Sequence, residues 1–215
     1  MSYTGTLRKM QTEYTPETGD LQYHLNLDNN RTCSLNELLG KEISISFNGN
    51  IFCTFCGSKT KKTFSDGLCY RCFIKLPQAD MCIMKPHECH FDKGTCRDEE
   101  WGLQHCFQPQ TLYLSRSSCV KIGITRKHQQ FTRWADQGAV EAMAIGTFPS
   151  RKEVGMAEIA ISAEMSDRTN WRNMLKNVVV DTPIETTPTA APVTETKKDD
   201  NEDEVLKELL EGLDV

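Results

Sequence analysis

No stretch of this chain approaches the roughly 20 consecutive apolar residues that a membrane-spanning helix requires. The opening segment, MSYTGTLRKMQTEYTPETGD, has no apolar leader core either. Hydrophobic residues make up 38% and aromatics only 8%, with a mean hydropathy of −0.50. The expectation is a cytoplasmic protein without a membrane partner. A strong basic excess is also missing, since the formal net charge is −5. That charge is unevenly spread: residues 181–215 hold 11 acidic and 3 basic residues, leaving 22 basic against 19 acidic in residues 1–180. The part expected to fold is mildly basic, a balance that permits nucleic-acid contact without requiring it.

Cysteine, by contrast, is abundant. Ten cysteines in 215 residues are many for a cytoplasmic chain. In a reducing compartment such density points to metal binding before disulfides. Eight of the ten fall in residues 51–107, a stretch with little apolar periodicity, so it needs metal to fold.

Around that stretch the pattern predicts an α+β protein in four parts. Residues 1–50 form a small β-rich element: LQYHLNL (21–27) and KEISISF (41–47) alternate as strands, the latter with Ile43, Ile45 and Phe47 on one face. Between them SLNELLG reads as a helical turn capped by Ser34 and ended by Gly40, and NGN (48–50) as a turn. Residues 51–107 form a cysteine-rich zinc-binding module. Residues 111–176 form an α/β domain of order β-β-α-β-α: strands LYLSR and VKIGIT, a helix from about Lys127 to Gly138, strand EAMAIGTF, then a helix with Val154, Met156, Ile159, Ile161 and Met165 at helical spacing. Residues 181–215 form a disordered acidic tail. Its end, VLKELLEGL within 204–213, reads either as a frayed terminus or as a short tethered helix that docks on a protein partner.

The metal signal comes in two strengths. Cys53, Cys56, Cys69 and Cys72 stand as CxxC-x12-CxxC, with Gly57 after the first pair. Each CxxC turns two thiolates onto one ion, and four sulfurs close a tetrahedral shell. A closed shell suits structural zinc, with an iron–sulfur cluster as the competitor and thiol redox chemistry as the other use of such pairs. Cys82, Cys89, Cys96 and Cys106 contain no CxxC pair, and His87, His90 and His105 lie among them. Four cysteines make an economical second shell, His90 or His105 could replace one of them, and buried reduced thiols are the plain alternative.

The motifs GTCRDEEWG, KIGITR, RWADQGA and DRTNWRNML, in that order, resemble a bacterial family classed as domain of unknown function 2797. The resemblance runs from about Gly40 to Lys176 and brings no established activity with it. The C-terminal half also resembles the GIY-YIG nuclease fold in its KIG-x-T variant. That resemblance implies a position for each site residue. Tyr113 matches the tyrosine of the first strand motif, and Ile122-Gly123 the end of the second. Arg133 matches the helix arginine that contacts the scissile phosphate. Glu158 matches the acidic residue that holds a divalent ion, Mg²⁺ or Mn²⁺, and Asn170 lies near a further polar position.

The implied chemistry is coherent. A phenol, a guanidinium and a carboxylate-bound Mg²⁺ can divide deprotonation, charge neutralisation and leaving-group stabilisation among them. The arginine fork can give a phosphate two hydrogen bonds. Two departures matter: Leu112-Tyr113-Leu114 lacks the motif's glycine, and Lys121 stands where the pattern has tyrosine, leaving a point charge in place of a proton acceptor. Plainer roles exist for each residue. Tyr113 can be a sheet tyrosine, Glu158 part of a solvated face with Glu153 and Glu164, and Arg133 a partner of Asp136. Trp134 and Trp171 read as core residues, and Arg126, Lys127, Arg151 and Lys152 as a phosphate-facing rim.

The sequence thus predicts a zinc protein, with one or two structural ions, that binds DNA or RNA. Its GIY-YIG-like domain carries the implied Mg²⁺-dependent endonuclease chemistry. A non-catalytic protein-interaction module and a thiol or metal sensor are the readings from other classes.

Overall fold

The computed structural model describes residues 2–15, 17–28, 31–162, 171–176, 178–181 and 184. Met165, Asn170 and most of the acidic tail, including the segment read as a frayed terminus or a docking helix, lie outside the described residues. The chain divides into two compact units, Met1–Asp80 and Met81–Val215.

The first unit opens with an antiparallel sheet of β1 (Gln11–Thr15), β2 (Asp20–Asn26) and β3 (Thr32–Ser34), in that order. Asn36 extends its ladder with a side chain: its Oδ1 accepts from Tyr23 N and its Nδ2 donates to Leu21 O, both at 2.8 Å. The turn expected in SLNELLG is a 3-10 turn over Asn36–Leu38. Leu35, not Ser34, stands at its cap, with no side-chain capping bond. Gly40 follows with φ 74°, the left-handed conformation that glycine adopts without strain.

The strand expected over 41–47 does not form. Ile43, Ile45 and Phe47 are 56%, 78% and 73% exposed. Alternation prepares a strand face, but a strand also needs a neighbour to take its backbone hydrogen bonds, and this segment pairs with none of the described strands. The unit continues with β4 (Ile51–Phe52) paired to β5 (Lys59–Thr60), then α1 (Tyr70–Lys75). Among its described residues only Cys33, Cys53 and Leu68 are buried hydrophobics. So little buried apolar surface cannot offset the entropy of ordering the chain, and another source of stability is required.

The second unit begins with α2 (Met81–Met84) and α3 (Glu99–His105), the latter capped by Asp98, whose side chain accepts from Trp101 N at 2.9 Å. Next comes an antiparallel sheet of β6 (Gln110–Arg116), β7 (Val120–Arg126) and β8 (Glu141–Phe148), with β6 in the centre. A 3-10 turn over Lys127–Gln129 leads into α4 (Gln130–Asp136), between β7 and β8. The unit ends with α5 (Arg151–Ser162) and α6 (Trp171–Leu175). The β-β-α-β-α order is therefore observed, embedded in a larger unit.

Strand alternation divides this sheet into two faces. Leu112, Leu114 and Ile122 point into a core closed by Val154 and Ala157 of α5, with Phe148 and Ile184. The α5 stripe is thus Val154, Ala157 and the partly buried Ile161, whereas Ile159 is 45% exposed. Tyr113 and Ser115 on β6, and Lys121 and Thr125 on β7, have the opposite parity and are also buried.

Residues 81–107, the second cysteine group, belong to this unit. Gly155 of α5 lies so close to the turn Pro86–Glu88 that a Cβ there would meet Pro86 Cβ at 2.5 Å and His87 N at 3.0 Å. Arg151 Nη2 donates to Ile83 O at 2.8 Å, and Lys152 Nζ pairs with Asp92 at 3.1 Å.

Candidate metal centre and phosphate-facing site

Cys53, Cys56, Cys69 and Cys72 bring their sulfurs together within 4.8 Å of one another. The local backbone explains how. Cys53 directly follows β4, its N–H donating to Ser58 O at 2.9 Å, and Gly57 turns back with φ 70° so that its N–H reaches Cys53 O at 3.0 Å. The second pair is prepared by Asp66 and Gly67, both at positive φ, with Thr54 N donating to Gly67 O at 3.0 Å. Cys69 then caps α1, and Cys72 sits in its first turn.

The spacing fits a metal. With metal–sulfur bonds of about 2.3 Å, a tetrahedron has sulfur–sulfur edges of about 3.8 Å. The Cys56 Sγ to Cys69 Sγ distance is 3.8 Å. Cys53 Sγ, fully buried, accepts from the N–H of Cys56 at 3.5 Å and of Cys69 at 3.2 Å. Burial alone would push the Cys53 thiol up, but the N–H groups of Cys56, Cys69 and Phe55 outweigh it and bring it down to about 6. Hydrogen bonds from Ser58 lower Cys56 as well. Cys72 is pushed up to about 12, by burial first and then by the neighbouring thiols. Four sulfurs so close cannot all ionise alone, and a divalent cation at their centre would resolve the conflict. These four cysteines can hold a metal, and the closed shell leaves no position for a substrate.

The second cysteine group is arranged differently. Among the described residues Cys82, Cys89, Cys96 and Cys106 do not form such a set; Cys82 lies beside His90, their ligand atoms within 4.8 Å. Cys106, pushed up by burial, is close enough to Cys89 and Cys96 to feel their charge. His105 is engaged by Trp101 O at 2.8 Å and His87 by Glu88 at 3.6 Å.

In the α/β unit, Tyr113 is fully buried and its hydroxyl meets the Gln137 amide at 2.8 Å. The amide orientation that satisfies every group has its nitrogen donating to Tyr113 Oη. Its carbonyl then accepts from Arg133 Nη2 at 3.1 Å and Nε at 3.2 Å. The opposite orientation would face the NH₂ toward guanidinium donors. Arg133 itself is exposed. A buried phenol, a bridging amide and an exposed guanidinium therefore form one chain. Gly123 makes room for it, since a Cβ there would lie 2.7 Å from Tyr113 Oη. The Trp134 ring stands edge-on to Tyr113 at 5.9 Å.

Burial raises the Tyr113 phenol above its ordinary value, and the Glu158 carboxylate adds to this; the Arg133 cation and its hydrogen bond oppose it. The phenol is therefore neutral at pH 7, a hydrogen-bonding group and not a base. Glu158 is half-buried on α5 and also supports the charge of Arg151, which burial pushes down. Lys121 is only 4% exposed, so its ammonium is not offered to a surface ligand.

Gln137 is the residue that sequence reasoning missed. Its signal was available: it stands four residues after Arg133, one helical turn on, in RWADQGA.

A family model described as a protein of unknown function (DUF2797) matches residues 40–212. The chain belongs to this family. No curated protein and no solved structure matches it. For a DUF2797 chain the family thus fixes ancestry, and function has to be argued from the two sites. Among the described residues no helix is long and apolar enough to cross a membrane.

Proposed function

We propose that this DUF2797 protein binds nucleic acid, with Arg133 as the phosphate-contacting group, and that its four-cysteine centre holds structural zinc. One observation carries the reading: the exposed Arg133 guanidinium is gripped through Nε and Nη2 by Gln137, which is anchored on the buried Tyr113. A fixed guanidinium has already lost the rotamer freedom that binding would otherwise cost, and the exposure of Arg133 leaves the side chain accessible to a phosphate. Tyr113, fully buried, acts as a positioning residue. The KIG-x-T resemblance, with Tyr113, Gly123, Arg133 and Glu158 at its expected positions, supports the same ligand class.

Phosphodiester cleavage is the catalytic extension of this reading. Mg²⁺ keeps most of its waters and is held by one or two carboxylates together with substrate phosphates, so a single half-buried Glu158 fits it. Bound there, the ion would neutralise charge developing on the phosphate oxygens. Tyr113 stays protonated and Lys121 is buried, so neither serves as the proton acceptor.

The test compares wild type, Arg133→Ala and Glu158→Ala on single- and double-stranded DNA and RNA, with and without Mg²⁺ or Mn²⁺. Wild type should bind with an affinity that falls as salt rises, and Arg133→Ala should weaken binding and lower the salt slope by about one phosphate contact. Absence of binding at low salt overturns the proposal. Metal-dependent cutting lost in Glu158→Ala would establish the catalytic extension, and equal cutting by that variant would remove Glu158 from it.

A further inference from the structure

An open groove of about 670 Å³ includes one side of the four-cysteine centre, where Cys56, Cys69 and Cys72 line it, and extends over Phe55, Lys59, Tyr70, Arg71 and Lys75. We propose that this groove is a second nucleic-acid site, one that takes single strands by stacking unpaired bases on Phe55 and Tyr70. It shares only the ligand class with the reading of Arg133 given above.

Three features point to this ligand. Phe55 is 62% and Tyr70 59% exposed and both line the groove, so each leaves ring surface open to a ligand there. Lys59, Arg71 and Lys75 are exposed beside them, and among the described residues none of the three forms an ion pair. The lining contains no acidic residue. Residues 53–76 carry five basic residues and one acidic residue, enough to outweigh the roughly −2 charge of a divalent ion in four thiolates.

Exposed aromatic rings and cations in one groove are what a flexible polyanion with exposed bases requires. The cations track the backbone, and every base presents a π-face. A duplex hides those faces, and an acidic peptide has none. The geometry also gives the metal a clear task. Phe55 lies inside the first CxxC pair and Tyr70 follows Cys69, so the four sulfurs hold the two rings on opposite ligand loops.

The experiment is fluorescence anisotropy on the full-length metal-loaded protein, with labelled T15 and U15 strands, a 15-base-pair duplex and poly-glutamate as probes (lengths of about two single-strand site sizes). Wild type, Phe55→Ala, Tyr70→Ala, Lys75→Glu and Arg133→Ala are compared, with metal content and circular dichroism confirming that each is folded. Single-strand affinity should fall about tenfold or more in each aromatic variant while duplex affinity stays unchanged. Lys75→Glu, a change at an exposed position, should weaken T15 binding and lower the salt slope. If the aromatic variants and Lys75→Glu bind T15 like wild type while Arg133→Ala does not, the groove assignment is wrong and the Arg133 site stands. The reverse pattern supports the groove and removes Arg133. Failure of wild type to bind any strand overturns both, and poly-glutamate competing as well as T15 overturns stacking.

Discussion

Withdrawing a metal from the four cysteines should unfold residues 53–76 and leave residues 81–162 folded on their own core. In that cysteine segment, Leu68 is the only fully buried apolar side chain besides Cys53. Burying one leucine contributes about 1.5–3 kcal/mol, whereas a structural zinc contributes roughly 10–16 kcal/mol in modules of this size. A metal held by the four cysteines would therefore supply most of what keeps the knuckles closed. Without it, the amides of Cys53, Gly57 and Phe73, now bonded to Ser58 O, Cys53 O and Cys69 O at 2.9–3.0 Å, should open freely. A loss of even about 4 kcal/mol raises their exchange rates about 10³-fold. Hydrogen exchange read by mass spectrometry, before and after a strong chelator, measures this directly. Trp101, Trp134 and Trp171 all lie in the second unit, so tryptophan fluorescence gives an internal control that should barely change. Undiminished protection of residues 53–76, with metal loss verified by elemental analysis, would refute the reasoning.

Three further outcomes follow from particular contacts. Gly123→Ala puts a methyl 2.7 Å from Tyr113 Oη; displacing that ring should cost about 1–3 kcal/mol in a denaturant titration, and it should weaken nucleic-acid binding as Arg133 loses its anchor. Gly155→Ala drives a methyl into the backbone at Pro86 and His87, so thermal stability of the second unit should fall while metal content at the four-cysteine centre is unchanged. The Tyr113 phenol is raised in the fold, so its contribution to stability is intact below the unfolded value of about 10 and is lost as pH rises through the higher folded value. The denaturant midpoint should therefore drop above about pH 10, with less of a drop in Tyr113→Phe.

The parts of the fold legible in the sequence were those whose signal is local. The CxxC pairs announce their own geometry, because two thiolates three residues apart already turn onto one ion. EAMAIGTF became β8 with the expected bounds, since a bounded apolar run next to paired strands has little else to do. KEISISF had a cleaner strand period and formed none, because period prepares a face and cannot supply a partner edge. The second cysteine group was the hardest to place. Its neighbours are set by tertiary packing, with Arg151 of α5 reaching Ile83 O across 68 residues of sequence. At the α/β site, the sequence pointed to Tyr113, Arg133 and Glu158. That the phenol is wholly buried and hydrogen-bonds the Gln137 amide depends on how α4 lies over β7, which no spacing reveals.

Whether a nucleic-acid strand touches Phe55, Tyr70 and Arg133 is the most direct test of the proposed binding. Photocrosslinking a bound uridine strand to the metal-loaded protein, then mapping the modified peptides, reads this in one measurement. Adducts on the peptides carrying Phe55 or Tyr70 and on the α4 segment around Arg133 are the predicted result. A strand that crosslinks only elsewhere, or not at all under conditions where it binds, would contradict the account.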